Sequence, residues 1–258
     1  MSSRLRVGPR RARPDDHLSV VEHLDELRRR LIVSALALVV AFAGMYAMHD
    51  ALIDALTWPL PNDTGQLITL SPTEPFFTVL KVSFWAAVLI ALPIWLYQVY
   101  AFIIPAVTDQ PRRTVLAIVA GVSGLFAGGV AFGYLVVLPV ALNFLIGFGG
   151  DTFNSQLRAG EYFSFATTML LASGLLFEVP VAMTALARIG VASAALYRRQ
   201  WRVALVGIAA IAAILPGGDP ISMGLLMLPQ FVLYGVGIAL AAKFGQPPLW
   251  KRDQVDAM

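Results

Sequence analysis

Three carboxylates stand where their neighbours make a carboxylate costly or conspicuous. Glu26 lies in Glu22-His23-Leu24-Asp25-Glu26-Leu27-Arg28-Arg29-Arg30-Leu31, Glu178 in Phe177-Glu178-Val179-Pro180, and Asp219 in Pro216-Gly217-Gly218-Asp219-Pro220. A carboxylate such as Glu26 can accept a guanidinium through two charge-assisted hydrogen bonds, a fork that an ammonium cannot reproduce. The plainer reading of the same run is a solvated helix end held by i,i+4 pairs such as Glu26 with Arg30. Glu178 is the single charge in the apolar run Tyr162–Ala187. A charge at a bilayer centre costs about 2.5–3.5 kcal/mol on insertion scales, so such a residue faces a cavity or a partner and often marks function. The alternative is a protonated glutamate hydrogen-bonded inside a helix bundle. Asp219, in a tight turn, reads as a turn or N-cap aspartate.

Other chemistries find less support. Gly121-Val122-Ser123-Gly124 has the form of an intramembrane serine nucleophile, but the histidines are His17, His23 and His49, none in a later span, so no base accompanies it. Glycine and serine in an apolar helix serve as small packing residues. Cysteine is absent, His23-Leu24-Asp25-Glu26 is not a zinc motif, and no phosphate-binding glycine loop occurs. No metal or cofactor is expected, and the chain is not expected to be an enzyme.

The elements that must position these groups are apolar helices. The 258 residues are 58% hydrophobic and 14% charged, with mean hydropathy +0.72. Soluble domains carry about 25% charged residues, so a soluble enzyme is excluded and an integral membrane protein remains. Six spans are read at about 31–48, 82–104, 115–138, 162–187, 203–215 and 221–242. The third belongs to a longer run, Thr114–Gly150, interrupted by Pro139. The last two spans are short. Residues 1–18 form a basic tail, 19–245 the membrane domain and 246–258 a C-terminal tail. Of the 19 Lys and Arg, 17 fall on alternate connecting segments that include both termini. By the positive-inside rule both termini are cytoplasmic. The twin arginine Arg10-Arg11 belongs to the basic tail, since no apolar segment follows it closely. The small net charge of +3 argues against nucleic acid as a partner.

Helix starts are also marked. Ser19-Val20-Val21-Glu22 fits a capping box, and Ser71-Pro72-Thr73-Glu74 repeats it with proline at the first helical position. The second long helix is therefore expected to start near Pro72 and run to about Ile104, with Pro93 as a kink. Asp50–Trp58 is expected to form a short amphipathic helix closed by Pro59 and Pro61.

The segment 22–31, together with Ser71-Pro72-Thr73-Glu74-Pro75-Phe76-Phe77, Tyr97-Gln98-Val99-Tyr100-Ala101-Phe102-Ile103-Ile104-Pro105, Phe132-Gly133-Tyr134 and Phe177-Glu178-Val179-Pro180-Val181, resembles the TatC family. The resemblance covers about residues 19–245. It implies an all-α, curved, concave six-span bundle in a bacterial plasma membrane. It implies the receptor core of the twin-arginine translocase, which binds paired-arginine signal peptides at its cytoplasmic face. Single-span TatA/TatB-type partners and further copies of the chain would complete a complex that exports folded proteins on the proton-motive force. The implied signal-peptide site holds Glu26 and Phe102, with His23 and Arg28 in the same run as Glu26. Many members carry a glutamate just before paired basic residues; here Pro111 precedes Arg112-Arg113, so that either Asp109 substitutes for it or Glu26 acts with fewer helpers. The family's intramembrane groove glutamate falls on Glu178. Its aspartate before the last span falls on Asp219, its first-loop proline on Pro59, and a polar position in the last span on Met223. A reading from another class is a proton-coupled small-solute transporter that uses Glu178 as its carrier.

Overall fold

The computed structural model describes residues 20–61, 66–103, 112–148, 156–214 and 219–246. Among them the helices are α1 (Val20–Ala47), α2 (His49–Thr57), α3 (Glu74–Ile103), α4 (Arg112–Phe132), a π-helical turn (Gly133–Val137), α5 (Leu138–Gly147), α6 (Ala159–Phe177), α7 (Val179–Arg188), α8 (Ala194–Arg199), α9 (Trp201–Ile214) and α10 (Pro220–Phe244). The extended pairing among these residues is one isolated bridge between Ile68 and Arg158. Leu24–Ala47, Glu74–Val99, Ile118–Gly147, Ala159–Arg188 and Pro220–Phe244 are long and apolar enough to cross a membrane. α9 has 14 residues, or about 21 Å, against a hydrocarbon core about 30 Å thick.

Pro93 and Pro229 lie inside the continuous helices α3 and α10, whereas two other long apolar runs depart from regular α-helix beside a proline, each in its own way. In Ile118–Gly147 the π-helical turn lies just before Pro139 and widens the helix where the proline ring would meet the Leu135 carbonyl. In Ala159–Arg188 the helix instead breaks at Glu178, the residue between α6 and α7, and Pro180 occupies the first turn of α7, where a missing N–H costs nothing.

α6 packs against both α3 and α4, and glycines set how closely α4 can approach. A Cβ added at Gly129 would lie 2.6 Å from the Ser173 carbonyl oxygen, and one at Gly133 would lie 2.7 Å from Ser173 Oγ. Gly174 makes the reciprocal approach, 2.6 Å from the Phe126 ring. Small residues allow this backbone contact where hydrophobic burial drives nothing, because lipid is as apolar as the bundle. α10 packs beside α7, with Gly237 against Met183 and Pro180.

The end of the bundle that bears α2 is tied together by side chains. Tyr134, in the π-helical turn, donates its hydroxyl to the Ala55 carbonyl at 2.6 Å, and Tyr162 donates to the Leu56 carbonyl. Trp58 stacks on Tyr134 with ring centroids 6.1 Å apart. Leu56, Val82, Leu138, Leu142, Tyr162 and Phe163 form the buried cluster beneath. At the other end α7 stops at Gly190, whose φ of 77° is the left-handed conformation glycine adopts freely. Ser193 then caps α8, its hydroxyl accepting the Leu196 N–H at 3.2 Å.

Candidate functional site

α1 and α3 run antiparallel, and the N-terminal end of α1 meets the C-terminal end of α3. Trp95 Nε1 donates to the Ser34 carbonyl at 3.0 Å and fixes the register. About one turn nearer the end, Arg30 Nε donates to Glu26 Oε1 at 3.0 Å, and Arg30 Nη2 makes a second, shorter bond to the same oxygen. Arg30 Nη1 reaches across to Gln98 Oε1 at 3.3 Å. A carboxylate on α1 and an amide oxygen on α3 thus converge on one guanidinium. The pair is half-buried, with the two side chains 21% and 28% exposed. Phe102 is partly buried one turn beyond Gln98 on the same helix. Arg28 is exposed, as are Leu24, Leu27 and Leu31. His23 lies in the first turn of α1, but its side chain, like Asp109, Pro111 and the side chains of Arg112 and Arg113, lies outside the described residues.

The remaining candidates are dispersed. Both Glu178 oxygens are buried and close no hydrogen bond of ordinary geometry among the described residues, the Phe126 backbone being near enough to interact electrostatically. Asp219 caps α10, its Oδ1 accepting the N–H groups of Ile221 at 3.1 Å and Ser222 at 2.8 Å, while Oδ2 is buried without a partner among these residues. Met223 packs inward against the cluster of Val137, Met169, Leu176, Ala212 and Leu226. Pro59 is buried just after α2. Ser123 Oγ has no hydrogen-bond partner among the described residues, and His49, on α2, bonds to Tyr46 and Asp50. No group of three metal-ligating side chains occurs among the described residues.

Two features escape spacing arguments. Gln98 sits within a recognisable run, yet its role depends on a helix partner 68 residues away. Glu74 was expected to close a capping box on its own turn. Instead Oε2 accepts the Leu70 N–H at 2.9 Å, and Oε1 accepts Arg158 Nε at 2.8 Å and the Gly160 N–H at 3.0 Å. The hydrogen bond to Glu74 and its nearby charge hold the Arg158 pKa above arginine's ordinary value. The Ile68–Arg158 bridge lies alongside, Ile68 N–H donating to Leu157 and Ala159 N–H to Ile68, both at 2.9 Å.

The profile of the family described as Sec-independent protein translocase protein (TatC) matches residues 22–229. The chain belongs to the TatC family. Among its TatC relatives, the Deinococcus radiodurans protein is 36% identical over 230 residues, covering 86% of this chain and 85% of that one. The Helicobacter pylori protein (strain 26695) is 35% identical over 226 residues, 88% of each chain. The chloroplastic protein of Pisum sativum is 36% identical over 223 residues, and this chain spans only 63% of that relative's length. A solved structure described as the twin arginine translocase receptor TatC in DDM superposes with a TM-score of 0.75 at 33% identity, covering 85% of this chain and 99% of that one. The all-helical architecture is that of the solved TatC structure, the chain is a multi-pass membrane protein of a protein-translocation system, and it is not an enzyme.

Proposed function

We propose that this TatC protein is the receptor subunit that reads twin-arginine signal peptides, with Glu26 as the carboxylate that takes an arginine of the signal. One observation supports this above the rest: the Glu26 carboxylate, with Gln98 opposite, already holds a guanidinium, that of Arg30. A signal arginine would enter by exchanging for Arg30, so the acceptors need no rebuilding. Phe102, His23, Arg28 and Asp109 would complete the surface. α9 is read as a sixth span, with both termini cytoplasmic in a bacterial plasma membrane. Residues 1–18 and 246–258 would be tails of the membrane domain 19–245. TatA/TatB-type single-span proteins, and further copies of this chain, would assemble with it to export folded cargo on the proton-motive force. Glu178 would line the intramembrane groove, with Pro59, Asp219 and Met223 supporting the fold or the partner surface.

The test is photo-crosslinking from a probe at position 102, with Glu26 intact, to a signal peptide carrying paired arginines or paired lysines. Selective capture of the arginine form is expected. Equal capture of both removes the recognition role assigned to Glu26.

A further inference from the structure

Two basic residues break the charge asymmetry of the chain: Lys81 and Arg158 lie on the segments that otherwise lack positive charge. Both line one cavity of about 350 Å³ at the α2 end of the bundle, between the first turns of α3 and α6. Arg158 has its explanation in Glu74 and Glu161, with which it forms ion pairs. Lys81 has none of that kind. Among the described residues its ammonium makes no ion pair; it donates to Ser164 Oγ on α6 at 2.6 Å. Ser164 in turn donates to the Gly160 carbonyl, so the hydroxyl cannot also point its proton at the lysine's neighbours.

In the sequence Lys81 marks the edge of the charge-free part of its span. It stands seven residues into α3 and immediately precedes the charge-free run that starts at Val82, about 10 Å from the helix start. Phe77 and Phe84, at i−4 and i+3 on its own face, are 62% and 42% exposed, and aromatic rings of this kind collect at the membrane–water boundary. The ammonium bends from that apolar face into a cavity whose wall also carries the hydroxyls of Ser71 and Thr73. The carboxylates on the same wall, Glu74 and Glu161, are paired with Arg158, which leaves the Lys81 ammonium beside hydroxyl groups as the cation that complements a phosphodiester.

The geometry points to a phospholipid site in the leaflet at the α2 end. The lipid phosphate would be held by Lys81 Nζ and the neighbouring hydroxyls, and the acyl chains would lie along Phe77 and Phe84. Glu161, exposed on the same wall, would accept a headgroup amine where one is present.

The test is native mass spectrometry of the purified full chain in detergent, with phosphatidylethanolamine, phosphatidylglycerol or diacylglycerol added in turn. One phospholipid should be retained and diacylglycerol should not. Lys81→Gln should lower retention at least 5-fold, Lys81→Arg should keep it, and Lys243→Gln, at the other end, should leave it unchanged. Thermal unfolding followed by circular dichroism checks that each variant is folded; if Lys81→Gln is not, Ser71→Ala with Thr73→Ala serves in its place and should also lower retention. Equal retention of diacylglycerol, or unchanged retention in a folded Lys81→Gln, overturns the site. Full competition by millimolar inorganic phosphate would show a free-anion site and also overturns it.

Discussion

Arg30→Gln isolates the exchange at the centre of the signal-reading proposal. In the resting chain the incoming guanidinium must displace Arg30 from Glu26. The pair is i,i+4 on one helix and half-buried, with 21% and 28% side-chain exposure. Pairs of this kind are worth about 0.2–1 kcal/mol, which corresponds to roughly 1.4- to 5-fold in binding. Removing the arginine should therefore tighten an arginine-bearing signal peptide by that factor. The assay is fluorescence anisotropy of a labelled peptide titrated with the protein in nanodiscs. A lysine-bearing peptide provides the control, because deleting a nearby positive charge helps any cationic peptide, but only a guanidinium gains the Glu26–Gln98 fork. The arginine-to-lysine preference should thus rise. At 1 M salt, where the Debye length is about 3 Å, the unselective gain should fade while the preference remains. Weaker arginine binding in Arg30→Gln would mean that Arg30 organises Glu26 rather than occupying it. An equal rise for both peptides would mean that only net charge matters. Either result refutes the exchange.

Gly129→Ala puts a methyl group 2.6 Å from the Ser173 carbonyl oxygen, and overpacking of this kind costs about 1–3 kcal/mol; its neighbour Gly128→Ala meets nothing within 4 Å, so thermal melting in detergent should fall for the first and hold for the second. Arg158→Gln should lower the melting temperature and open the α2–α3 connection to limited proteolysis. With Glu74→Gln added it should fall no further than the worse single variant, since both remove one contact; additive losses would show that the two side chains act separately. Glu178→Gln should export cargo nearly as wild type does and Glu178→Ala poorly, because the amide fills the space at the α6–α7 break and the alanine leaves a hole; wild-type export by the alanine variant would show the side chain to be dispensable.

What the sequence made legible was local. The scarcity of charge identifies a membrane protein, the long charge-free runs mark its helices, and the i,i+4 rule places Glu26 beside Arg30, a pair that is present. Asp219 as a cap follows from its turn and Pro220. Ser71-Pro72-Thr73-Glu74 was legible only in part: the Ser71 hydroxyl faces the Thr73 N–H at 3.4 Å, but the Glu74 carboxylate is taken by Leu70, Gly160 and Arg158. Nothing in a local window can announce a partner 84 residues away. The same limit hid Gln98 and the Lys81–Ser164 contact. Pro139 signalled an irregularity, yet its form, a π-helical turn that aims Tyr134 at α2, depends on where α2 lies in the assembled bundle.

That dependence sets an order of assembly. The first turn of α3 and the last turn of α2 are tied to residues that come much later in the chain: Tyr134 lies 79 residues after Ala55, Arg158 lies 84 after Glu74, and Tyr162 lies 106 after Leu56. At a synthesis rate of about 5–20 residues per second, the Glu74 carboxylate waits roughly 4–17 s for its arginine. The first two long helices are therefore expected to enter the bilayer before these bonds can form, with the last of them supplied when α6 emerges. A nascent chain arrested before Arg158 should expose the α2–α3 connection to added protease, and one arrested beyond Tyr162 should protect it.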